Sequence, residues 1–186
     1  MHQKTFWILV FLMGMISFSA LAQEEENASK EEEEAHAPQI RVALMMANMH
    51  APRAVGGEKQ VSIIPTWGAD IDYYFHPKWS IAVQADLLMQ SFEVEKEGVK
   101  LERNYPFSTA FVVHYHAKRH WSFYLGPGYE FEKSENLFLV KVGTEYSVEI
   151  NENWEIGFNL AFEQKEEVYD SWLFGIAFNK RIWVKK

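Results

Sequence analysis

The sequence contains no cysteine in its 186 residues. This absence excludes disulfide bonds, thiolate zinc sites and cysteine nucleophiles. It also leaves no cysteine to carry a lipoprotein anchor. Basic residues are few as well, since 18 Lys and Arg stand against 26 Asp and Glu, for a net charge of −8. Such an acidic chain is a poor partner for nucleic acid.

Long apolar runs are missing everywhere except at the N-terminus. The opening "MHQKTFWILVFLMGMISFSALAQ" has Lys4, an apolar run over 6–18, and small residues at Ala20 and Ala22. This pattern predicts a secretory signal peptide over 1–22. The run is shorter than the roughly 18 apolar residues that an uncleaved membrane anchor needs. Any membrane crossing by the mature single domain would therefore use strands.

The next segment, "QEEENASKEEEEAHAP", carries much of the acidic excess. Clustered glutamates repel one another and offer no apolar surface, so we predict a disordered periplasmic tail over 23–39, ahead of a barrel over 40–186. Cation capture with the help of His36 is the alternative role. A solubilising spacer is the simpler interpretation.

Eight segments after the tail alternate large apolar side chains with small or polar ones. They are 40–50, 62–75, 79–90, 105–117, 121–131, 137–150, 154–163 and 171–182. In "SIIPTWGADIDYYF" (62–75), Ile71, Tyr73 and Phe75 share one face. Asp70 and Asp72 lie on the other, because side chains alternate across a strand.

The choice of inward face decides between a soluble and a membrane protein. A soluble sandwich or lipocalin-type barrel would bury the apolar face, and its wet face would then carry glycine, alanine and serine rather than lysine and glutamate. An eight-stranded barrel has an interior only wide enough for side chains, which suits the small and polar face. The pattern therefore predicts an all-β fold, an eight-stranded antiparallel transmembrane β-barrel in an up-and-down meander.

Three short polar turns, "HPK" (76–78), "KRH" (118–120) and "NEN" (151–153), support this arrangement. The predicted aromatic girdle at this membrane edge consists of Trp79, Trp121, Trp154, Phe75 and Tyr115. Short turns are typical of the periplasmic side, so both termini are expected there. The outer loops are then 51–60, 91–104, 132–136 and 164–170.

Three stretches carry a family resemblance: "IPTWGADIDYYFHPKWSIAVQADL" (64–87), "LGPGYEFEKSENLFLVKVGTEY" (125–146) and "YDSWLFGIAFNKRI" (169–182). The chain resembles small outer-membrane β-barrels of the OmpA/OmpX/OmpW kind, and more closely uncharacterised outer-membrane barrels of Bacteroidetes-type bacteria. The resemblance implies insertion by the barrel-insertion machinery and no known reaction. Such barrels end on an aromatic signal residue. Here Ile182 takes that position, and Trp183 is the alternative.

The face rule places a network of charges in the lumen. The predicted members are Lys141, Glu163, Glu130, Arg181, Asp70, Asp72, Asp86 and Glu145. Lys141 is identified as the only cation midway along an inward face. Because a sealed lysine needs a partner, we expect an ion pair from Lys141 to Glu163 or Glu130, with Arg181 neutralising carboxylates nearer the periplasm.

The sequence also offers two chemical alternatives. His114 and His116 share a face and could bind a metal together with Asp70 or Asp72, but nothing fixes a third ligand, so polar filler is the preferred interpretation. A lipid-modifying enzyme would need a serine, a histidine and an acid in contact. The nearest candidates by level are His50, Ser91 and Ser171. We therefore expect no catalysis, metal or cofactor.

The expected function is a structural, envelope or surface-binding role with a closed lumen, because Tyr74, Leu88 and Tyr124 help to fill it. A small-solute or ion channel and a lipid-modifying enzyme are the alternatives. The expected partners are outer-membrane lipids, including lipopolysaccharide, and the chain is expected to be a monomer. The 91–105 hairpin could pair with another chain through its edges. The cations expected at the outer rim, facing lipopolysaccharide phosphates, are Arg53, Lys59, Lys96, Lys100 and Arg103. A solvated loop of mixed charge is the other interpretation.

Overall fold

A computed structural model describes residues 38–55, 58–96, 99–118, 120–166 and 168–184. Side chains are not described at 53–55, 58–60, 95–96, 99–100 and 183–184. The signal peptide and almost all of the acidic tail lie outside the described residues and stay predictions. The side chains of the rim cations other than Arg103, and of Trp183, are not described, so their roles also stay predictions.

The described residues form β-strands joined by turns. The strands are β1 (Gln39–Val55), β2 (Glu58–His76), β3 (Trp79–Leu88), β4 (Phe92–Lys96), β5 (Val99–Arg103), β6 (Phe107–Lys118), β7 (Trp121–Phe131), β8 (Leu137–Asn151), β9 (Trp154–Lys165) and β10 (Tyr169–Val184). Eight of them close an antiparallel barrel in the order β1-β10-β9-β8-β7-β6-β3-β2, and β4 and β5 form a separate two-stranded sheet. The predicted fold class is confirmed. In the described part of the chain, no helix is long and apolar enough to cross a membrane.

The two faces of the wall follow the predicted alternation. On β7, Trp121, Phe123 and Leu125 are 44%, 45% and 57% exposed, whereas Tyr124 between them is 2% exposed. The same change from exposed to buried recurs along the other barrel strands. Large apolar groups therefore cover the outside, where lipid would solvate them, and small or polar groups fill the inside.

The barrel has two distinguishable ends. The short-turn end carries the turns at 77–78 and 152–153 and the connection between β6 and β7. The long-loop end carries the β1–β2, β7–β8 and β9–β10 connections and the segment between β3 and β6. The prediction that 51–60 is a loop at the long-loop end is wrong. β1 and β2 stay paired as strands up to Val55 and Glu58. The segment is rich in charged residues, but a backbone ladder needs no apolar side chains once it leaves the membrane.

The hairpin of β4 and β5 is not a continuation of β3 and β6. It pairs only with itself, from Phe92 opposite Arg103 to Lys96 opposite Val99. Tyr105 has a positive φ of 46°, which turns the chain between β5 and β6. Phe92 and Val94 are buried in one apolar cluster with residues of β8 and β10, so the hairpin folds over the long-loop end of the barrel.

A close approach of two strands occurs around the sequence Gly126-Pro127-Gly128. A Cβ added at Gly126 would fall well inside contact distance of the Phe111 carbonyl oxygen on β6. Pro127, whose side chain faces outward, has no backbone N–H to donate to the ladder. A strand accepts such a residue only where the pairing is locally irregular. Glycine at 126 is therefore required by the backbone of β6.

Candidate functional site

The lumen is the only place where the described charged side chains gather away from solvent. Seven carboxylates and four cations are buried in it. The acids are Asp70, Asp72, Asp86, Glu130, Glu145, Glu155 and Glu163, and the bases are Arg41, Arg103, Lys141 and Lys165. Burying an ion without a partner costs several kcal/mol, so the geometry of these pairs decides what the lumen can do.

Lys141 lies at the centre of the network. Its Nζ is 2.6 Å from Asp86 Oδ2 and 3.5 Å from Glu163 Oε1. Glu163 stands opposite Lys141 in the β8–β9 ladder, as the sequence spacing predicted. Asp86 comes from β3, which is not a neighbour of β8 in the barrel. The shorter ion pair therefore crosses the lumen and ties the two halves of the wall together.

Glu130 forms a second cluster at the long-loop end. The Arg103 guanidinium donates to Glu130 Oε1 from Nη2 at 2.6 Å and from Nε at 2.9 Å. Lys165 Nζ lies 3.1 Å from Glu130 Oε2, and the Tyr169 hydroxyl donates to the same oxygen at 2.6 Å. The described ion pairs of Lys141 thus do not include Glu130, because Lys165 already occupies that side of the carboxylate.

The assignment of Arg103 to the exposed outer rim is wrong. Its side chain is fully buried, and its Nη1 also donates to the Glu135 carbonyl oxygen at 2.7 Å. The physical reason is the hairpin fold, which carries Arg103 to the buried Glu130 carboxylate, where the guanidinium is paired although it is removed from water. Outside the membrane, the pKa of the Glu132 carboxyl is lowered by hydrogen bonds from the hydroxyl and backbone N–H of Ser134. Glu132 Oε2 lies 3.9 Å from Arg103 Nη1.

Arg41 organises a third cluster, at the short-turn end. Its Nε lies 3.2 Å from Asp72 Oδ2. Its Nη1 lies 3.0 Å from Glu145 Oε1 and 3.3 Å from Glu155 Oε2. Arg181 is partly exposed and also pairs with Glu155. These contacts join β1, β2, β8, β9 and β10 around one guanidinium.

Sequence reasoning missed two of these cations. Lys141 is buried at the middle level, as predicted, but Arg41 and Lys165 are buried nearer the two ends of the barrel and have no place in the predicted network. Arg41 already lies within the predicted first strand, 40–50, and shares its face with Ala43 and Met45, so following the alternation back by one step would have revealed it. Lys165 was assigned to an outer loop because the alternation of β9 was ended too early.

Between the clusters lies a middle layer with unsatisfied polar atoms. Asp70 Oδ1, Gln84 Oε1 and both ring nitrogens of His114 have no hydrogen-bond partner among the described residues. Asp70 and Gln84 face each other in the β2–β3 ladder. His114 stacks on Tyr124 with ring centroids 4.9 Å apart. The layer is thus filled by aromatic rings and hydrogen-bonding groups.

The two histidines of the metal hypothesis lie side by side. The rings of His114 and His116 stack 6.0 Å apart, and His116 Nε2 is 3.0 Å from the Ser80 hydroxyl. His114 Nε2 is 3.7 Å from Asp72 Oδ1. Within the described residues, no group of three or more His, Cys, Asp or Glu side chains has the arrangement needed to hold a metal ion.

The candidates for a lipid-modifying site are not brought together. His50 lies on the outer face against Phe174, with ring centroids 5.2 Å apart. Ser171 points inward, where its hydroxyl accepts a hydrogen bond from Lys165 at 3.2 Å. Ser91 donates to Asn104 at 2.7 Å. His50, Ser91 and Ser171 therefore form no serine–histidine pair with one another. The described contacts do pair Ser80 with His116, but inside the barrel and apart from these candidates.

The girdle residues lie at the short-turn end with exposed faces. Their exposed fractions run from 40% to 49% for Trp79, Trp121, Trp154, Phe75 and Tyr115. Trp79 and Tyr115 contact each other across β3 and β6, with centroids 5.0 Å apart. Trp154 carries the ammonium of Lys180 4.9 Å above its ring. Amphipathic rings at one level of the barrel suit a membrane–water boundary.

A closed eight-stranded barrel with an apolar exterior and paired charges inside defines a class. It is a small transmembrane β-barrel of the outer-membrane type. The resemblance drawn from the sequence is confirmed at this level, and its narrower link to Bacteroidetes-type barrels stays a prediction.

Solved structures share this fold. The outer membrane protein OprG from Pseudomonas aeruginosa matches with a TM-score of 0.54 at 14% identity, over 79% of this chain and 97% of its own. Neisserial surface protein A matches with a TM-score of 0.53 at 11% identity, over 77% of this chain and 97% of its own. Ail of Yersinia pestis was solved in complex with the heparin analogue sucrose octasulfate. It matches with a TM-score of 0.51 at 15% identity, over 77% of this chain and 99% of its own. No protein-family model matches the chain, and no curated protein does.

Proposed function

We propose that this chain is a non-conducting outer-membrane barrel with an envelope-structural or surface-binding role and no catalysis. One observation carries the proposal: three ion-pair clusters cross the lumen at successive levels, and the β4–β5 hairpin covers its long-loop end. An eight-stranded barrel has no spare width once its interior is filled with side chains. A path for solutes would have to break several buried pairs at once.

The levels of the clusters support a seal rather than a gate. The Arg41 cluster, the Lys141 pair to Asp86 and the Arg103–Glu130 pair lie at different levels and share no residue. Breaking any one of them leaves the other two in place. A single moving part would therefore not open the barrel.

Orientation and partners belong to the same proposal. Short turns are typical of the periplasmic side of such barrels, which supports placing both termini in the periplasm. The exposed apolar belt supports contact with outer-membrane lipids, including lipopolysaccharide, and insertion by the barrel-insertion machinery as a monomer. The separate β4–β5 sheet supports capture of a partner strand at 91–105, since a two-stranded sheet has two backbone edges. Ail, a protein of the same fold, binds a sulfated ligand in its solved complex, which supports surface binding as a use of this barrel type.

The test is planar-bilayer recording of the purified, folded protein, with a porin in the same bilayer as positive control. We expect no stable conductance steps from this chain and regular steps from the porin. Variant Arg103→Met should also stay silent, because the Arg41 and Lys141 levels remain. Steady porin-size steps from the unmodified chain would contradict the closed lumen and favour the small-solute channel.

A further inference from the structure

Strands β1 and β2 extend at the long-loop end as a two-stranded arm, beyond the strands on either side of them. The β2–β3 ladder ends at Thr66. The β1–β2 ladder continues past this level to Glu58, at the beginning of β2. Within the described part of the chain, β2 over 58–64 therefore has β1 on one side and no ladder partner on the other.

The free edge of β2 offers backbone hydrogen-bonding groups at regular intervals. The Pro65 carbonyl oxygen accepts a hydrogen bond from the Met89 N–H at 2.9 Å, so the backbone of Pro65 faces the β3 side. Alternate residues of a strand direct their N–H and C=O groups to the same side. Ile63 and Val61 therefore present both groups to the free edge. The β1–β2 ladder agrees, because Val61 stands opposite Pro52, which has no N–H to exchange.

The opposite edge of the arm is less suited to pairing. The β1–β10 ladder ends at His50, and beyond it the described part of β1 has no ladder partner on that side. Pro52 faces this edge without an N–H to donate, and proline on an edge strand is a common means of preventing strand addition. A strand that joins the arm would therefore add beside β2.

The two faces of the arm at this edge differ in chemistry. On the inner face, a cavity of about 280 Å³ is lined by Ser62 of β2 and by Glu93 and Glu102 of the β4–β5 hairpin. Glu93 and Glu102 are direct ladder partners, so the cavity is complementary to a cationic side chain. On the outer face, Val61 and Ile63 are 64% and 58% exposed.

We propose that the free edge of β2 binds an extended segment of a partner protein in which lysine or arginine alternates with apolar residues. Side chains of an added strand alternate between the two faces of the arm. Those on the inner face reach Glu93 and Glu102, and those on the outer face pack on Val61 and Ile63. Backbone hydrogen bonds to β2 hold the segment, and the side chains select it.

This inference rests on the proposed function in placing the long-loop end outside the membrane, where a partner can reach it. Its test does not use conductance, so either can fail alone. The probe is a fluorescent peptide of about eight residues that alternates lysine and valine. It is titrated into the folded protein in non-ionic detergent, with empty micelles as the blank, and fluorescence anisotropy measures the Kd. We expect it to bind about tenfold more tightly than a peptide that alternates glutamate and valine.

The variant Val61→Pro tests the edge. It removes a donor from the free edge and breaks no hydrogen bond to β1, because Val61 and Pro52 exchange none. Binding of the lysine–valine peptide should weaken about tenfold. Val61→Thr is the matched control, since threonine keeps the N–H and the β-branched shape, and it should bind the peptide as the unmodified protein does. Heat-dependent gel migration checks that both variants are folded.

The variant Glu102→Gln tests the charge. It should weaken binding of the lysine–valine peptide several-fold, whereas Glu152→Gln, at an exposed position of the short-turn end, should not. Equal affinity for the two peptides, or equal effects of Glu102→Gln and Glu152→Gln, would overturn the basic partner. Equal loss of binding from Val61→Pro and Val61→Thr would overturn the edge. Undiminished binding by Val61→Pro would also overturn it and leave the 91–105 hairpin as the site of strand capture.

Discussion

At the scale of single residues, the lumen is governed by the cost of burying charge. Each buried cation reaches at least one carboxylate, and Arg41 reaches three. Removing one partner of such a pair leaves the other charge buried and uncompensated. The resulting loss of free energy exceeds the net stabilisation that the intact pair provided. Single substitutions inside the barrel should therefore act far more strongly than substitutions on its loops.

Lys141→Met is the sharpest case. It leaves Asp86 without its 2.6 Å partner and removes one of the two lysines beside Glu163. We expect a loss of about 3 kcal/mol in the free energy of unfolding, as for other broken buried pairs. Urea unfolding in lipid vesicles measures it, with Lys133→Met on the exposed loop as control. Equal unfolding midpoints for the two variants would show that Lys141 is outside the interior network.

Gly143 is a second position where the packing leaves no room for a side chain. A Cβ there would overlap the ring and hydroxyl of Tyr124, whose hydroxyl donates to Asn159 at 2.7 Å. Gly143→Ala should therefore destabilise the barrel by about 1–3 kcal/mol, as overpacking does. Gly175→Ala is the matched control, since a Cβ there meets mainly the flexible end of Met45, 2.7 Å away at Sδ. A midpoint for Gly143→Ala at or above that of Gly175→Ala would contradict this packing.

The partners of these residues mark the limit of sequence reasoning. The pair of Lys141 with Glu163 could be counted through one short turn, because both lie in adjacent strands. The pair of Lys141 with Asp86 could not, because it joins strands that share no ladder. Contacts across a lumen depend on strand tilt and barrel diameter, and a linear alternation pattern contains neither.

At the scale of elements, the membrane-spanning strands were predictable and their extensions were not. Lipid selects apolar side chains on every outward position, so the alternation is strong between the two girdles. Beyond the membrane that selection ends, and the 51–60 and 91–104 segments lose the pattern although both contain strands. The fold-back of the hairpin depends on Arg103 meeting Glu130, a contact between residues 27 positions apart.

Arg103→Met tests the hold of the hairpin on the barrel. The substitution removes the guanidinium from Glu130 and from the Glu135 carbonyl, while Lys165 and Tyr169 still satisfy the carboxylate. Local opening should become easier by about 2 kcal/mol, as for lost hydrogen bonds to a charged group, or roughly thirtyfold faster amide hydrogen exchange in β4 and β5. Exchange in β7 and β8 should not change. Glu102→Gln, at an exposed position of the same strand, is the control. Equal exchange in both variants would show that Arg103 does not anchor the hairpin.

At the scale of the whole molecule, closure is what the alternation rule predicted best. A strand register can slip by two residues and keep its faces, but a slip by one would turn the apolar face into the lumen. This parity fixed which residues lie inside the barrel. It did not fix which strand pairs end early, so the end of the β1–β10 ladder at His50 and Trp172 was visible only in three dimensions.

Closure of the barrel between the first and last strands can be tested with a disulfide. Because the chain contains no cysteine, two introduced cysteines can pair only with each other. Leu44 and Phe178 are direct partners in the β1–β10 ladder, and both are exposed on the outer face. Partners in an antiparallel ladder have Cα atoms about 4.5–5.5 Å apart, within reach of a disulfide. The double variant Leu44→Cys/Phe178→Cys should therefore cross-link on oxidation of the folded protein. After boiling, the looped chain should migrate faster on a non-reducing gel, and reductant should abolish the shift.

Leu44→Cys/Leu125→Cys is the control, because β7 lies four strands from β1 in the barrel order and its cysteine is out of reach. Cross-linking of both pairs to the same extent, or of neither, would contradict a barrel closed between β1 and β10.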